Sequence, residues 1–146
     1  MSPAEDNAAE FGTEELSKVD GIDIGTFTQI LEMDDDDERE FSSAIVFDFF
    51  TQAQETFDTM DDALRNGELR KLSDLGHFLK GSSATLGLTK VRDGCEKIQR
   101  YGKQENVDGS PQLDTELCLE RIGEALKSVK KDFVVVEDAL KKFYGH

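Results

Sequence analysis

Of the side chains able to act as nucleophile, general base or metal ligand, His77 stands apart. The 146-residue chain has two histidines, and the other, His146, is its last residue. His77 opens the stretch HFLKGSSATLG, residues 77–87, which reads as helix. Four residues later that helix carries a glycine, Gly81, which costs about 1 kcal/mol relative to alanine. With residues placed about 100° apart around the axis, Leu72, Leu75, Leu79, Ser83 and Leu86 cluster within about 80° of one another, and His77 lies about 160° from their centre. The imidazole therefore faces solvent. Gly81 and Ala84, its successors along the same face, are small, and Lys80 lies to one side.

Several chemistries use a histidine. Metal binding in a helical bundle needs companions such as paired Glu-x-x-His motifs. The residue three before His77 is Asp74, and no second copy exists. A serine-type triad needs a nucleophile in a cleft, whereas Ser82 and Ser83 share the histidine's own helix. A surface histidine with no role is the plain alternative; Gly81 and Lys80 weigh against it. The remaining reading is a nucleophile presented outward. An imidazole with its ordinary pKa of about 6.5 is largely neutral near pH 7, and neutral imidazole attacks phosphorus to form a phosphoramidate with a labile P–N bond. Lys80 would offset charge on the transferring oxygens, and Gly81 would leave room for them. No phosphate-binding glycine loop or kinase motif set is found. The chain is therefore not expected to make phosphohistidine from ATP, and it needs one partner as phosphoryl donor and another as acceptor.

The elements that position these residues follow from apolar periodicity. The only prolines are Pro3 and Pro111, so a long tract between them is free to be helical. Residues 1–20 are acidic and weakly periodic and read as a disordered tail; residues 21–146 read as one domain. A short helix is predicted over 23–33, with Phe27, Ile30 and Leu31 apolar. Longer ones are predicted over 39–65, 68–86, 89–103 and 111–143, the last with Pro111 in its first turn. In the first long helix Val46, Phe49, Phe50, Ala53, Phe57, Met60 and Leu64 form the core stripe. Val91, Gly94, Cys95, Ile98 and Tyr101 make the stripe of the third. The acidic run DDDDE, residues 34–38, is expected to cap the helix that follows it; it lacks the ligand spacing of a calcium loop. Phe41 and Ile45 fall outside the core stripe. They either pack on the short first helix or form an apolar docking strip. The expected fold is all-α, an up-down-up-down four-helix bundle with a short extra N-terminal helix.

Composition narrows the partners. The net charge is −15, from 17 basic and 32 acidic residues, and such a field repels nucleic-acid phosphates and anionic lipids. No apolar run reaches the roughly 18 residues of a membrane span, and the N-terminus lacks the pattern of a secretory signal. Cys95 and Cys118 lack metal-ligand spacing and read as small core residues in a reducing compartment. A monomer is expected, because no second large apolar face appears.

The run LGHFLKGSSATLGL, residues 75–88, resembles the signature of histidine-containing phosphotransfer (HPt) proteins, with the fungal type of the osmosensing phosphorelay the best match. MDDDD at 33–37, QAQETF at 52–57 and CEKIQ at 95–99 resemble the same family, so the likeness covers about residues 30–103. The resemblance implies that His77 is phosphorylated, that Lys80 assists the phosphoryl group, that Gly81 keeps the site open and that Gln99 hydrogen-bonds the ring. It implies a docking patch of Ile30, Met33, Asp37, Phe41, Ile45, Gln52 and Ser82. The implied partners are the receiver domain of a hybrid sensor histidine kinase, as donor, and response-regulator receivers, as acceptors. No cofactor of its own is implied; Mg²⁺ would belong to the receiver. Cytoplasmic and nuclear localisation is the corresponding expectation. The competing reading is a non-catalytic helical adaptor that binds through the Phe41/Ile45 strip.

Overall fold

A computed structural model describes residues 12–35 and 39–145 and turns the apolar stripes into six helices. These are α1 (Thr13–Ser17), α2 (Ile24–Leu31), α3 (Glu40–Arg65), α4 (Leu69–Thr85), α5 (Thr89–Gly102) and α6 (Thr115–Phe143). Helices α3 to α6 form the expected four-helix bundle. α3 packs on α4, α4 on α5, α5 on α6, and α6 closes the ring against α3. Among the described residues the only β pairing is two isolated antiparallel bridges, Ile22 with Leu88 and Glu105 with Pro111. No helix among them is long and apolar enough to cross a membrane.

The core stripe of α3 is buried from Val46 to Met60, and Ala63 completes it while Leu64 is only partly covered. Phe49, Phe50 and Phe57 surround Phe133 of α6 with ring centroids 6.1, 6.0 and 5.4 Å away. Cys95 and Cys118 are free thiols in the interior. Burial pushes the Cys95 thiol up to about 12, and a thiol so raised is not a reactive thiolate at neutral pH.

Tight turns set the antiparallel order. Gly67 and Gly87 adopt φ of 68° and 75° just past the ends of α3 and α4. After α4, the Leu88 N–H reaches back to the Ser83 carbonyl at 2.9 Å and the Gly87 N–H to that of Ala84 at 3.1 Å. This closes the helix with a left-handed glycine, just past the end predicted at residue 86.

Two expectations change. The tail predicted over 1–20 is structured from Gly12 onward: α1 buries Leu16 completely and rests on α2 and α6. Residues 1–11 lie outside the described residues. The last helix begins at Thr115, four residues after Pro111, because Asp114 is its N-cap and accepts from the Leu117 N–H at 3.1 Å; Pro111 sits instead in the bridge to Glu105. The cap of α3 comes from the acidic run, as expected, through its first residue. Arg39, the residue before the helix, is left-handed at φ 57° and gives no side-chain cap. Asp34 accepts from the Ser42 N–H at 2.8 Å and from its hydroxyl at 2.6 Å, and the Tyr144 hydroxyl donates to Ser42 at 2.8 Å.

Candidate functional site

A close backbone approach between α4 and α5 lies beneath His77. Gly76 faces α5, where a Cβ would stand 2.8 Å from the Cys95 carbonyl oxygen and 2.9 Å from the Gln99 nitrogen. One turn away along the interface, a Cβ on Gly102 would stand 2.7 Å from both the Leu69 oxygen and the Ser73 nitrogen. Ser73 and Gly76 of α4 are both buried there. Small residues on both helices thus let α4 and α5 approach more closely than leucine packing permits. The consequence for the site is direct: Gln99 comes within reach of a side chain on the neighbouring helix.

That side chain is His77. It is exposed, as angle counting placed it, and its Nδ1 lies 3.2 Å from Gln99 Nε2. With Nδ1 occupied, Nε2 is the nitrogen left to face outward. Gln99 Oε1 is buried without a hydrogen-bond partner among the described residues. Amide nitrogen and oxygen exchange places by a half-turn of the side chain. The same glutamine can therefore donate to a bare Nδ1 or accept from a protonated one, and it can serve either imidazole tautomer.

Lys80, one turn after His77, leans toward α5, with its Nζ 3.7 Å from Glu96 Oε1. Glu96 also lies 3.9 Å from Arg100, whose other guanidinium nitrogen is 3.5 Å from Glu105. Lys80, Glu96, Gln99, Arg100, Lys103 and Glu105 line a cleft of about 90 Å³ beside the histidine's glutamine. At Gly81 a Cβ would meet no heavy atom within 4 Å, so the space ahead of the imidazole is open. Among the described residues no three His, Cys, Asp or Glu side chains converge as metal ligands would.

The expected docking residues divide. Met33, Phe41 and Ile45 are exposed at 61, 47 and 36%, too much for residues packed chiefly on α2. Ile45, Gln52 and Ser82 come together on one groove of about 240 Å³ between α3 and α4, which Asp48, Phe49, Thr85 and Leu86 complete. Ile30 does not belong to this surface. It is 7% exposed and sits in the core with Phe27, on the inward face of α2. Asp37 lies outside the described residues. Phe78 was missed by the sequence reading: it adjoins His77 and is half exposed. Its signal was available, since the count that turns His77 outward puts Phe78 about 100° from the core stripe.

Comparison with known proteins agrees with this geometry. Residues 44–132 match the Hpt domain. The chain is 53% identical over 113 residues to multistep phosphorelay regulator 1 of Schizosaccharomyces pombe, covering 77% of this chain and 38% of that protein. It is 48% identical over 87 residues to the phosphorelay intermediate protein YPD1 of Candida albicans, covering 60% of this chain and 47% of that one. The matched stretches thus span less than half the length of these curated relatives. Among solved structures, it resembles the Saccharomyces cerevisiae histidine phosphotransfer signaling protein Ypd1, crystallised with the receiver domain of its downstream response regulator Ssk1. The TM-score is 0.75 and the identity 32%, over 86% of this chain and 95% of that one.

Proposed function

The chain belongs to the Hpt-domain family, and from that premise we propose that it is a phosphorelay intermediate with His77 as its phosphoryl carrier. The donor is the receiver-domain aspartyl phosphate of a hybrid sensor histidine kinase, and the acceptors are response-regulator receivers. The observation that carries this reading is the outward imidazole whose Nδ1 is tied to Gln99 at 3.2 Å. In the attacking tautomer the Nδ1–H donates to Gln99 Oε1, brought to it by the half-turn of the amide, while the Nε2 lone pair faces the phosphorus. A P–N bond forms, the P–O bond to the receiver carboxyl breaks, and the carboxylate leaves with the bonding pair. The ring keeps its Nδ1 proton and carries the positive charge, which the Gln99 amide oxygen, turned toward the ring, stabilises. The reverse sequence on a second receiver passes the group on.

Lys80 offers an ammonium to the phosphoryl oxygens, and open space at Gly81 admits them. Met33, Phe41, Ile45, Gln52 and Ser82 supply an apolar and polar footing for a receiver. Mg²⁺ acts on the receiver side, where the aspartate is. A fungal osmosensing relay, working in cytoplasm and nucleus, is the setting that the resemblance implies.

The test is phosphoryl transfer from a phosphorylated receiver. The full chain should acquire an acid-labile, base-stable label, and His77→Gln should abolish it. Equal labelling of His77→Gln would sink the assignment. Full signalling by that variant in a complementation assay would favour the adaptor reading, which the exposed Met33, Phe41 and Ile45 also accommodate.

A further inference from the structure

We propose that Glu96 is a positioning residue that sets how firmly the phosphoryl group is held, by drawing the Lys80 ammonium toward α5. The inference rests on the phosphoryl-carrier reading and goes beyond it. Glu96 and Gln99 stand three residues apart on α5, so they share one face. That face reaches His77 through the amide and Lys80 through the carboxylate. Lys80 is the flexible member of the pair, a compact charge on a four-carbon stem, and its stem is largely covered while its partner carboxylate is half exposed. At 3.7 Å the contact is a loose tether with no short hydrogen bond to break.

A phosphoryl group on His77 introduces a second anion for the same ammonium. Lys80 must then divide between the Glu96 carboxylate and the phosphoryl oxygens. Every increment of attraction to Glu96 is subtracted from what Lys80 gives to phosphohistidine. A carrier that must release its cargo benefits from that division. Arg100 does not relieve it, because Arg100 shares Glu96 at 3.9 Å but is held more closely by Glu105, at 3.5 Å.

The experiment measures how radiolabelled phosphoryl partitions at equilibrium between the full chain and a response-regulator receiver domain. Four variants are compared with the parent: Glu96→Gln, Lys80→Ala, the double variant, and Asp93→Asn. Glu96→Gln is expected to shift the ratio toward phosphohistidine by about threefold to fivefold, the scale of a partly exposed ion pair. The double variant should match Lys80→Ala alone. Asp93→Asn removes one negative charge from the same helix, one turn before Glu96, where the carboxylate pairs with Arg92 and not with Lys80, and should leave the ratio near the parent's. An unchanged ratio in Glu96→Gln would overturn the proposal. So would a shift that persists in the Lys80→Ala background, or an equal shift in Asp93→Asn, since either means direct repulsion or net charge. If the parent itself takes no label, the carrier reading falls too, and the two failures are distinct.

Discussion

At Gly81 the structure leaves more room than any other residue would. No heavy atom lies within 4 Å of a Cβ there, and its φ is not among the left-handed glycines, so a side chain meets neither clash nor backbone strain. Gly81→Gln should therefore leave the chain as stable as before, or raise stability by up to about 1 kcal/mol through helix propensity. It should also slow phosphoryl transfer at least severalfold, because the new side chain occupies the approach to the imidazole. Urea melts and transfer kinetics on the same preparation separate the two effects. Unaltered kinetics would mean that the glycine is there for another reason. Residue by residue, the site was unevenly legible. His77 could be turned outward by angle counting because Leu72, Leu75, Leu79, Ser83 and Leu86 mark one side of α4 clearly. Gln99 could not be brought to it that way, since periodicity orients a residue on its own helix and says nothing about the distance to the next. Ile30 shows the same limit from the other side: an apolar residue on an eight-residue helix can belong to a patch or a core, and here Phe27 beside it leads into the core.

Between elements, the α4–α5 contact matters most. Gly76 and Gly102 carry no apolar surface, so a reading built on stripes of leucine and valine passes over them. They appear only when two helices are placed together. Gly76→Ala would put a methyl group 2.8 Å from a backbone oxygen and 2.9 Å from a backbone nitrogen, atoms that cannot turn aside. The helices must part, at a cost of about 1–3 kcal/mol, and Gln99 moves away from His77 with its backbone. Chemical denaturation should show the loss of stability, and the nitrogen-15 signals of the His77 ring should show loss of the Nδ1 contact. If the ring signals are unchanged, the interface has another way to yield. Helix boundaries were legible where chemistry marks them, as at Gly87. They were misread at Pro111, where a competing cap, Asp114, lay three residues on and had the side chain to hold the Leu117 N–H.

Over the whole molecule, the four-helix arrangement was legible because each long helix repeats its apolar stripe for several turns. The N-terminal arm was not, because α1 is five residues long and offers only Leu16 to the core. Charge is also distributed in a way that composition hides. A chain with 32 acidic and 17 basic residues gathers Lys80, Arg100 and Lys103 against Glu96 and Glu105 at one cleft beside the histidine, so the proposed phosphoryl site is locally positive where the rest is negative. The tight α4–α5 seam has a further consequence, in how the molecule opens. Where backbone meets backbone with no side chain between, a helix cannot lift partway; it separates from its neighbour or stays. Amides of residues 72–79 and 95–102 should then exchange with deuterium only through openings close to global unfolding, whereas those of α1, pinned by one leucine, should exchange through cheap local detachment. Exchange mass spectrometry reads both, and similar rates in the two regions would contradict it. The proposed carrier histidine thus sits on the part of the molecule that yields last, and any adaptation to a receiver is left to the surfaces around it.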